Sequence, residues 1–191
     1  MSNTLGTSLS SKLVRIGMAL LLVALTSIGL TLWVTWQLEG GAASVNEAGR
    51  MRMQTWRMAS EIQAGISEDQ RMARIAEFDQ ILTVLEKGDP SRPLFVPWDP
   101  MVRSKFKGVQ TQWQEQRSGW VSGAAAQPDT ILVSTHALVD AIDMLVSAIE
   151  HQMAQLTAVL NLFQFLMMVL AIFAAVVMLY TGYLYVINPL D

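Results

Sequence analysis

The sequence predicts an all-α protein: an antiparallel four-helix bundle whose first and last helices continue as two transmembrane helices. Three observations predict this fold. Residues 16–36 form an uncharged apolar run near one end of the chain, and residues 165–187 form another near the other end. Each run exceeds the roughly 20 residues that a helix needs to cross a bilayer. The segment between them shows strong helical periodicity and almost no strand alternation.

The flanking charges predict the orientation of the chain. The N-terminal tail contains Lys12 and Arg15 and no acidic residue, so the positive-inside rule places it in the cytoplasm. A cleaved signal peptide is the alternative, but its apolar region spans only about 7–15 residues, which favours an anchor. The predicted parts are a tail (1–15), a transmembrane helix (16–37), an outer domain (38–159), a second transmembrane helix (160–187) and a final linker (188–191).

Composition excludes several classes of function. The 191 residues carry a net charge of −3, which gives no overall basic character for nucleic-acid binding. Cysteine is absent, so disulfides and thiolate metal sites are excluded. His136 and His151 lack partners at metal-ligand spacing, and no phosphate loop or nucleophile motif is present. We expect no catalytic residue, no metal and no cofactor.

Four helices are predicted in the outer domain. The first runs from about residue 43 to 66, and its heptad stripe is Val45, Ala48, Arg52, Thr55, Ala59, Ile62 and Ile66. A capping box of Ser67 and Gln70 begins the second helix, and Gly88 suits its end. The apolar stripe of the second helix is Ile75, Phe78, Leu82 and Leu85.

The third helix begins with Asp99 as N-cap and Pro100 at the first helical position. Its apolar face is Val102, Phe106, Val109, Trp113 and Trp120. The fourth helix begins at Asp129, and its heptads run without a break into the second transmembrane segment. Its two rows begin with Leu132, Val139, Val146 and with Thr135, Ile142, Ile149.

Residues 89–100 contain four prolines, which exclude a regular helix or a central strand. We therefore predict an ordered loop. Packing of its apolar side chains onto the bundle is favoured over a ligand-binding role for the loop. These side chains are Leu94, Phe95, Val96 and Trp98.

Residues 46–59, NEAGRMRMQTWRMA, place three arginines in one stretch of helix. Arg57 can pair with Glu61 and Arg50 with Glu47, as surface ion pairs. Arg52 occupies a predicted seam position without an acidic residue three or four positions away.

A buried guanidinium without a partner costs several kcal/mol, so Arg52 needs an explanation. It could pair with a carboxylate of another helix, Glu77 or Asp79. It could extend past small neighbours to water, or meet its symmetry mate across a dimer axis with an anion between them. Spacing alone favours the intramolecular ion pair.

The same stretch resembles the P-box of nitrate/nitrite sensor histidine kinases of the NarX/NarQ type. The matching residues are Asn46, Ala48, Gly49, Arg52, Met53, Gln54, Thr55, Trp56 and Arg57. The layout of two spans around a helical outer domain is similar over the whole chain. The ending INPLD is similar to the entry of a HAMP linker.

This resemblance implies a periplasmic sensor domain on the bacterial inner membrane. It implies a homodimer in which the two copies of Arg52 grip one nitrate, or nitrite, helped by backbone near Gly49. Helix displacement would pass to HAMP and kinase regions absent from this fragment, which would have no activity of its own. The full-length protein would phosphorylate a response regulator.

Arg50 departs from that family, in which a small residue is usual at this position. A related box with a basic residue occurs in pilus-type chemotaxis transducers. The alternatives are therefore the sensor domain of a chemoreceptor-type transducer, or a structural helical bundle without a ligand.

Overall fold

The computed structural model describes residues 4–89, 91–97, 99–122 and 128–183. Within these ranges the chain forms four helices: α1 (Thr4–Gln63), α2 (Glu68–Lys87), α3 (Pro100–Ser122) and α4 (Pro128–Gly182). The only β pairing in the described part is an isolated bridge between Asp89 and Leu94. The prediction of an all-α fold with long first and last helices is confirmed.

The chain divides into two compact units, which we call the bundle unit (residues 36–155) and the apolar unit (residues 1–35 and 156–191). Helices α1 and α4 contribute to both. The domain boundaries given by the sequence remain predictions. The linker predicted at 188–191 and the last residues of the second predicted span lie outside the described residues.

The apolar unit exposes its hydrophobic side chains. Helices α1 and α4 each contain an apolar window long enough to cross a membrane, and no part of either window is buried within the structure. A core helix of a soluble protein would be buried instead, so these helices fit a membrane protein.

The hydroxyls in these apolar segments bind backbone carbonyls of their own helix. Thr26 Oγ1 donates to the Leu22 carbonyl at 2.8 Å, and Thr181 Oγ1 donates to the Val177 carbonyl at 2.7 Å. Hydrocarbon offers no water to these groups, so an internal partner is needed.

The predicted apolar faces of α2 and α3 form much of the core of the bundle unit. All four stripe residues of α2 and all five of α3 are buried. The rings of Phe78 and Trp113 pack with centroids 4.2 Å apart. Asp79 Oδ1 accepts from Trp113 Nε1 at 2.7 Å, so the indole nitrogen is satisfied within the core.

Helix α4 buries the three named residues of one predicted row and only part of the other. Thr135, Ile142 and Ile149 are buried as predicted, whereas Leu132 is about half exposed. Val139 of the second predicted row is buried, and so is a row that the sequence analysis missed, Ile131, Leu138 and Leu145. All these residues fit helical spacing, and the long apolar sequence of α4 does not by itself decide which row faces the core.

The predicted helix caps are present. The Ser67 side chain accepts from the backbone N–H of Gln70, whose side chain accepts in return from the Ser67 N–H. Asp99 Oδ1 accepts from the Val102 N–H at 2.8 Å, and Pro100 is the first residue of α3. Gly88 ends α2 at φ 77°, a backbone angle that favours glycine.

The loop after α2 packs onto the bundle as predicted. Leu94 and Val96 are buried. The Phe95 ring lies 4.3 Å from the Trp36 ring, measured between centroids. It also occupies the space that a side chain at Gly40 would need, so this glycine is required by packing. Trp98 lies outside the described residues.

Candidate ligand-binding site on the first helix

The stretch from Asn46 to Ala59 lies within α1, and it buries the predicted seam residues Ala48, Thr55 and Ala59 but not Arg52. Ala48, Met51, Thr55 and Met58 are buried, whereas the Arg52 side chain is 51% exposed. The prediction that Arg52 lies in the seam is therefore wrong. Residues 51 and 52 both fit a spacing of three and four from 48 and 55. Met51 takes the buried position because burying a guanidinium is costly.

Arg52 forms an ion pair with the fourth helix. Its Nη1 donates to Asp143 Oδ1 at 2.9 Å, and the Asp143 side chain is 48% exposed. The intramolecular pair that spacing favoured is present, but the proposed partners Glu77 and Asp79 are wrong. Those two carboxylates lie on α2, where Asp79 binds Trp113 and Arg117. Sequence could not identify Asp143, which is 91 residues away.

The surface around Arg52 is open and partly apolar. A Cβ added to Gly49 would meet no atom within 4 Å. Met53 is 56% exposed and Trp56 is 42% exposed. Gly49, Arg52, Met53 and Trp56 share one side of the helix, which we call the outer face of α1. It presents a cation beside free space, with apolar side chains next to it.

Helix α4 borders the outer face. The imidazole of His136 meets the Trp56 ring edge to face, with centroids 5.2 Å apart. With the Arg52–Asp143 pair, this contact shows that α1 and α4 run antiparallel, because residue numbers rise on one as they fall on the other. Asp143 therefore remains about half exposed on α4 while its carboxylate binds the arginine.

Arg57 makes the ion pair predicted for it. Its Nε donates to Glu61 Oε1 at 2.7 Å, and Arg74 Nε donates to the other Glu61 oxygen at 3.0 Å. The hydrogen bond from Arg57, followed by that from Arg74, lowers the pKa of Glu61. Glu61 therefore binds Arg57 on its own helix and links α1 to α2 through Arg74.

Arg50 also makes its predicted pair, but the pair is not a surface feature. Arg50 Nη1 lies 3.0 Å from Glu47 Oε2, and the Glu47 side chain is only 2% exposed. Arg92, from the loop after α2, donates Nη2 to Glu47 Oε1 at 2.6 Å. Two guanidiniums thus compensate one buried carboxylate. The sequence analysis missed Arg92, because a pair across 45 residues leaves no local spacing signal.

The loop end of this network is held by Asp89. Its Oδ1 accepts from both the hydroxyl and the backbone N–H of Ser91, and its Oδ2 accepts from Arg92 Nε. The Ser91 hydroxyl, then the Ser91 N–H, then Arg92 lower the pKa of Asp89. The guanidinium of Arg92 is therefore held between two carboxylates, Glu47 and Asp89.

The side chains of His136 and His151 are both exposed. Over the described ranges, the structure contains no group of three or more histidine, cysteine, aspartate or glutamate residues that could hold a metal ion.

Comparison with known proteins assigns a family to this part of the chain. A family described as "Type IV pili methyl-accepting chemotaxis transducer N-term" matches residues 33–141, more than half of the 191 residues. The match includes the whole outer face of α1 and ends just before Asp143. No curated protein matches the chain significantly.

Proposed function

The chain belongs to the family of N-terminal domains of type IV pilus methyl-accepting chemotaxis transducers, and we propose that it senses nitrate, or nitrite, for such a transducer. The family consists of sensory domains rather than enzymes. This membership favours a chemoreceptor-type output over the histidine kinase that the P-box resemblance implies. The basic residue Arg50, unusual in the kinase box, agrees with this choice.

The proposed site lies between two copies of the chain, with the outer faces of α1 opposed. The position of Arg52 is the observation that supports a site between two copies. Its side chain projects out of the core beside Gly49, which has open space around it. A glycine with open space permits close approach of a second helix. Backbone near Gly49 would help Arg52 to hold the anion.

Electrostatics explains why an anion is needed there. Two guanidiniums about 6 Å apart repel by roughly 3 kcal/mol at an effective dielectric constant of about 20. A planar monoanion between them removes this repulsion and accepts forked hydrogen bonds from both. Nitrate and nitrite have suitable charge, size and planar geometry.

The proposed signal is a small displacement of α1 and α4. Both helices contribute to the bundle unit and to the apolar unit. Repulsion without the anion and attraction with it favour different helix positions, separated by roughly 1–2 Å. In this proposal the bundle unit lies in the periplasm and the apolar unit crosses the inner membrane.

Calorimetry with nitrate tests the ligand assignment. Wild-type protein in detergent or nanodiscs should release or absorb heat on nitrate binding, and Arg52→Ala should abolish it. Arg57→Ala is the matched control, because Arg57 is held by Glu61 on the same helix and should leave binding intact. Equal heats from wild type and Arg52→Ala would reject Arg52 as the nitrate ligand, and no heat from wild type would reject nitrate binding in favour of a ligand-free bundle.

Crosslinking tests the proposed dimer separately. The chain has no native cysteine, so Met53→Cys would place a single thiol on the outer face. Oxidation should yield a disulfide-linked dimer, and nitrate should change its rate. Gln114→Cys, an exposed position on α3, should crosslink poorly. Equal crosslinking at the two positions would argue against dimerisation through the outer face.

A further inference from the structure

A second polar site lies between α1, α2 and the loop after α2. It is a cavity of about 390 Å³. Ile81 and Val84 supply the apolar part of its wall. The other six lining residues are polar or charged: Glu47, Arg50, Glu77, Gln80, Asp89 and Arg92. We propose that this cavity binds a free α-amino acid through its ammonium and carboxylate groups together.

The cavity retains unused hydrogen-bond donors. Arg50 and Arg92 both donate to the buried Glu47, and each side chain is still nearly half exposed. A guanidinium has five N–H groups. The contacts of Arg92 use Nε and Nη2. The second terminal nitrogen of Arg50 lies 3.8 Å from Glu77 Oε1, too far for a hydrogen bond. Both arginines can therefore donate to a ligand carboxylate.

The opposite wall retains an acceptor. Glu77 receives only a long contact of 3.4 Å from Arg74 Nη1, besides the 3.8 Å approach of Arg50. Its carboxylate is about one-third exposed. Glu77 and the amide oxygen of Gln80, both on α2, are the acceptors available to an ammonium group. Donors thus come from α1 and the loop, and acceptors come from α2.

The placement of donors and acceptors on facing walls favours a ligand that carries both an ammonium and a carboxylate group. Three carboxylates and two guanidiniums line the cavity, which leaves one excess negative charge. A simple anion would meet the free arginine donors but leave the acceptors Glu77 and Gln80 unused. A simple cation would satisfy Glu77 but leave the free arginine donors unused. A zwitterion supplies both groups and adds no net charge, so it meets each wall without breaking the Glu47 network.

This site is independent of the proposed nitrate site. Arg50 and Arg52 are two positions apart, so they project about 200° apart around the helix. The cavity and the outer face therefore lie on opposite sides of the same turn of α1. An amino acid in the cavity would bridge α1, α2 and the loop, and could act on the same helix as nitrate.

A binding screen tests this proposal. Each of the twenty protein L-amino acids is tested individually by thermal shift and then by calorimetry. At least one should bind to the wild-type protein. Its deaminated analogue and its decarboxylated analogue should each bind at least about tenfold more weakly, because each lacks one charge-assisted contact. Failure of all twenty, or equal binding of a single-charge analogue, would overturn the assignment.

Variants place the site and separate it from the nitrate hypothesis. Glu77→Gln should weaken amino-acid binding by about tenfold or more, since an acceptor carboxylate is lost. Glu86→Gln, on the same helix and outside this cavity, should bind normally. Arg52→Ala should also bind the amino acid normally. Unchanged amino-acid binding by Glu77→Gln would overturn the location of the site in this cavity. A variant that loses only nitrate binding would leave the amino-acid site unaffected.

Discussion

Asp143 should compete with nitrate for Arg52, and Asp143→Asn should therefore raise nitrate affinity. The ion pair spans 2.9 Å, and both side chains are about half exposed. Solvent reduces such a pair to about 0.2–1 kcal/mol. Because two copies of Arg52 are proposed to hold one anion, two pairs open on binding. Removing the two Arg52–Asp143 pairs lowers the free-energy cost of nitrate binding by about 0.4–2 kcal/mol. This is equivalent to about a two- to thirtyfold gain in nitrate affinity.

The measurement is nitrate titration of wild type and Asp143→Asn by calorimetry at the same salt concentration. Asp140→Asn is the matched control, since Asp140 is an exposed carboxylate one turn earlier on α4. It should leave the affinity unchanged. A fall in affinity for Asp143→Asn would refute competition and show instead that Asp143 orients Arg52 towards the anion.

Three further changes test the packing and electrostatics of the bundle unit. Gly40→Ala should lower the free energy of unfolding by about 1–3 kcal/mol in urea, because the new methyl group would overlap the Phe95 ring; unchanged stability would refute the tight contact. Glu61→Gln should reduce the loss of stability at acid pH. The folded-state pKa of Glu61 is lowered from 4.5 by its arginine partners. The stabilisation from ionised Glu61 is therefore present above the unfolded-state pKa and lost as the pH falls through the folded-state pKa. If wild type and Glu61→Gln lost stability equally on acidification, this role of Glu61 would be contradicted. Asp79→Asn should destabilise the protein by about 1–2 kcal/mol, because Trp113 and an arginine lose a charged acceptor. Urea unfolding followed by Trp fluorescence measures this loss of stability, and an unaltered unfolding midpoint in Asp79→Asn would contradict the prediction.

Features fixed by local spacing could be predicted from the sequence. The capping box at Ser67 and the Asp99–Pro100 helix start depend on contacts within one turn. The apolar stripes of α2 and α3 are spaced so that only one face can be buried. The pairs Arg50–Glu47 and Arg57–Glu61 follow from separations of three and four residues.

The candidate site was only partly predictable. The sequence placed Arg52 apart from the other two arginines, because no acidic residue lies within a turn of it. It also placed Arg52 in the heptad stripe, whereas the side chain is half exposed in the bundle. Two neighbouring positions fit the same heptad, and the choice of Met51 depends on the rotation of α1 against the other helices.

Tertiary structure alone decided the partners. Arg52 meets Asp143 across 91 residues, and Glu47 meets Arg92 across 45. These pairs depend on the axial stagger of α1 against α4 and on the path of the loop after α2. Packing of large side chains throughout the bundle sets both, and no local spacing encodes them. The sequence by itself determined the helices, their caps and the presence of an unmatched arginine. The fold determined that this arginine faces outwards, and that its neighbour Arg50 lines a different site, the cavity beside α2.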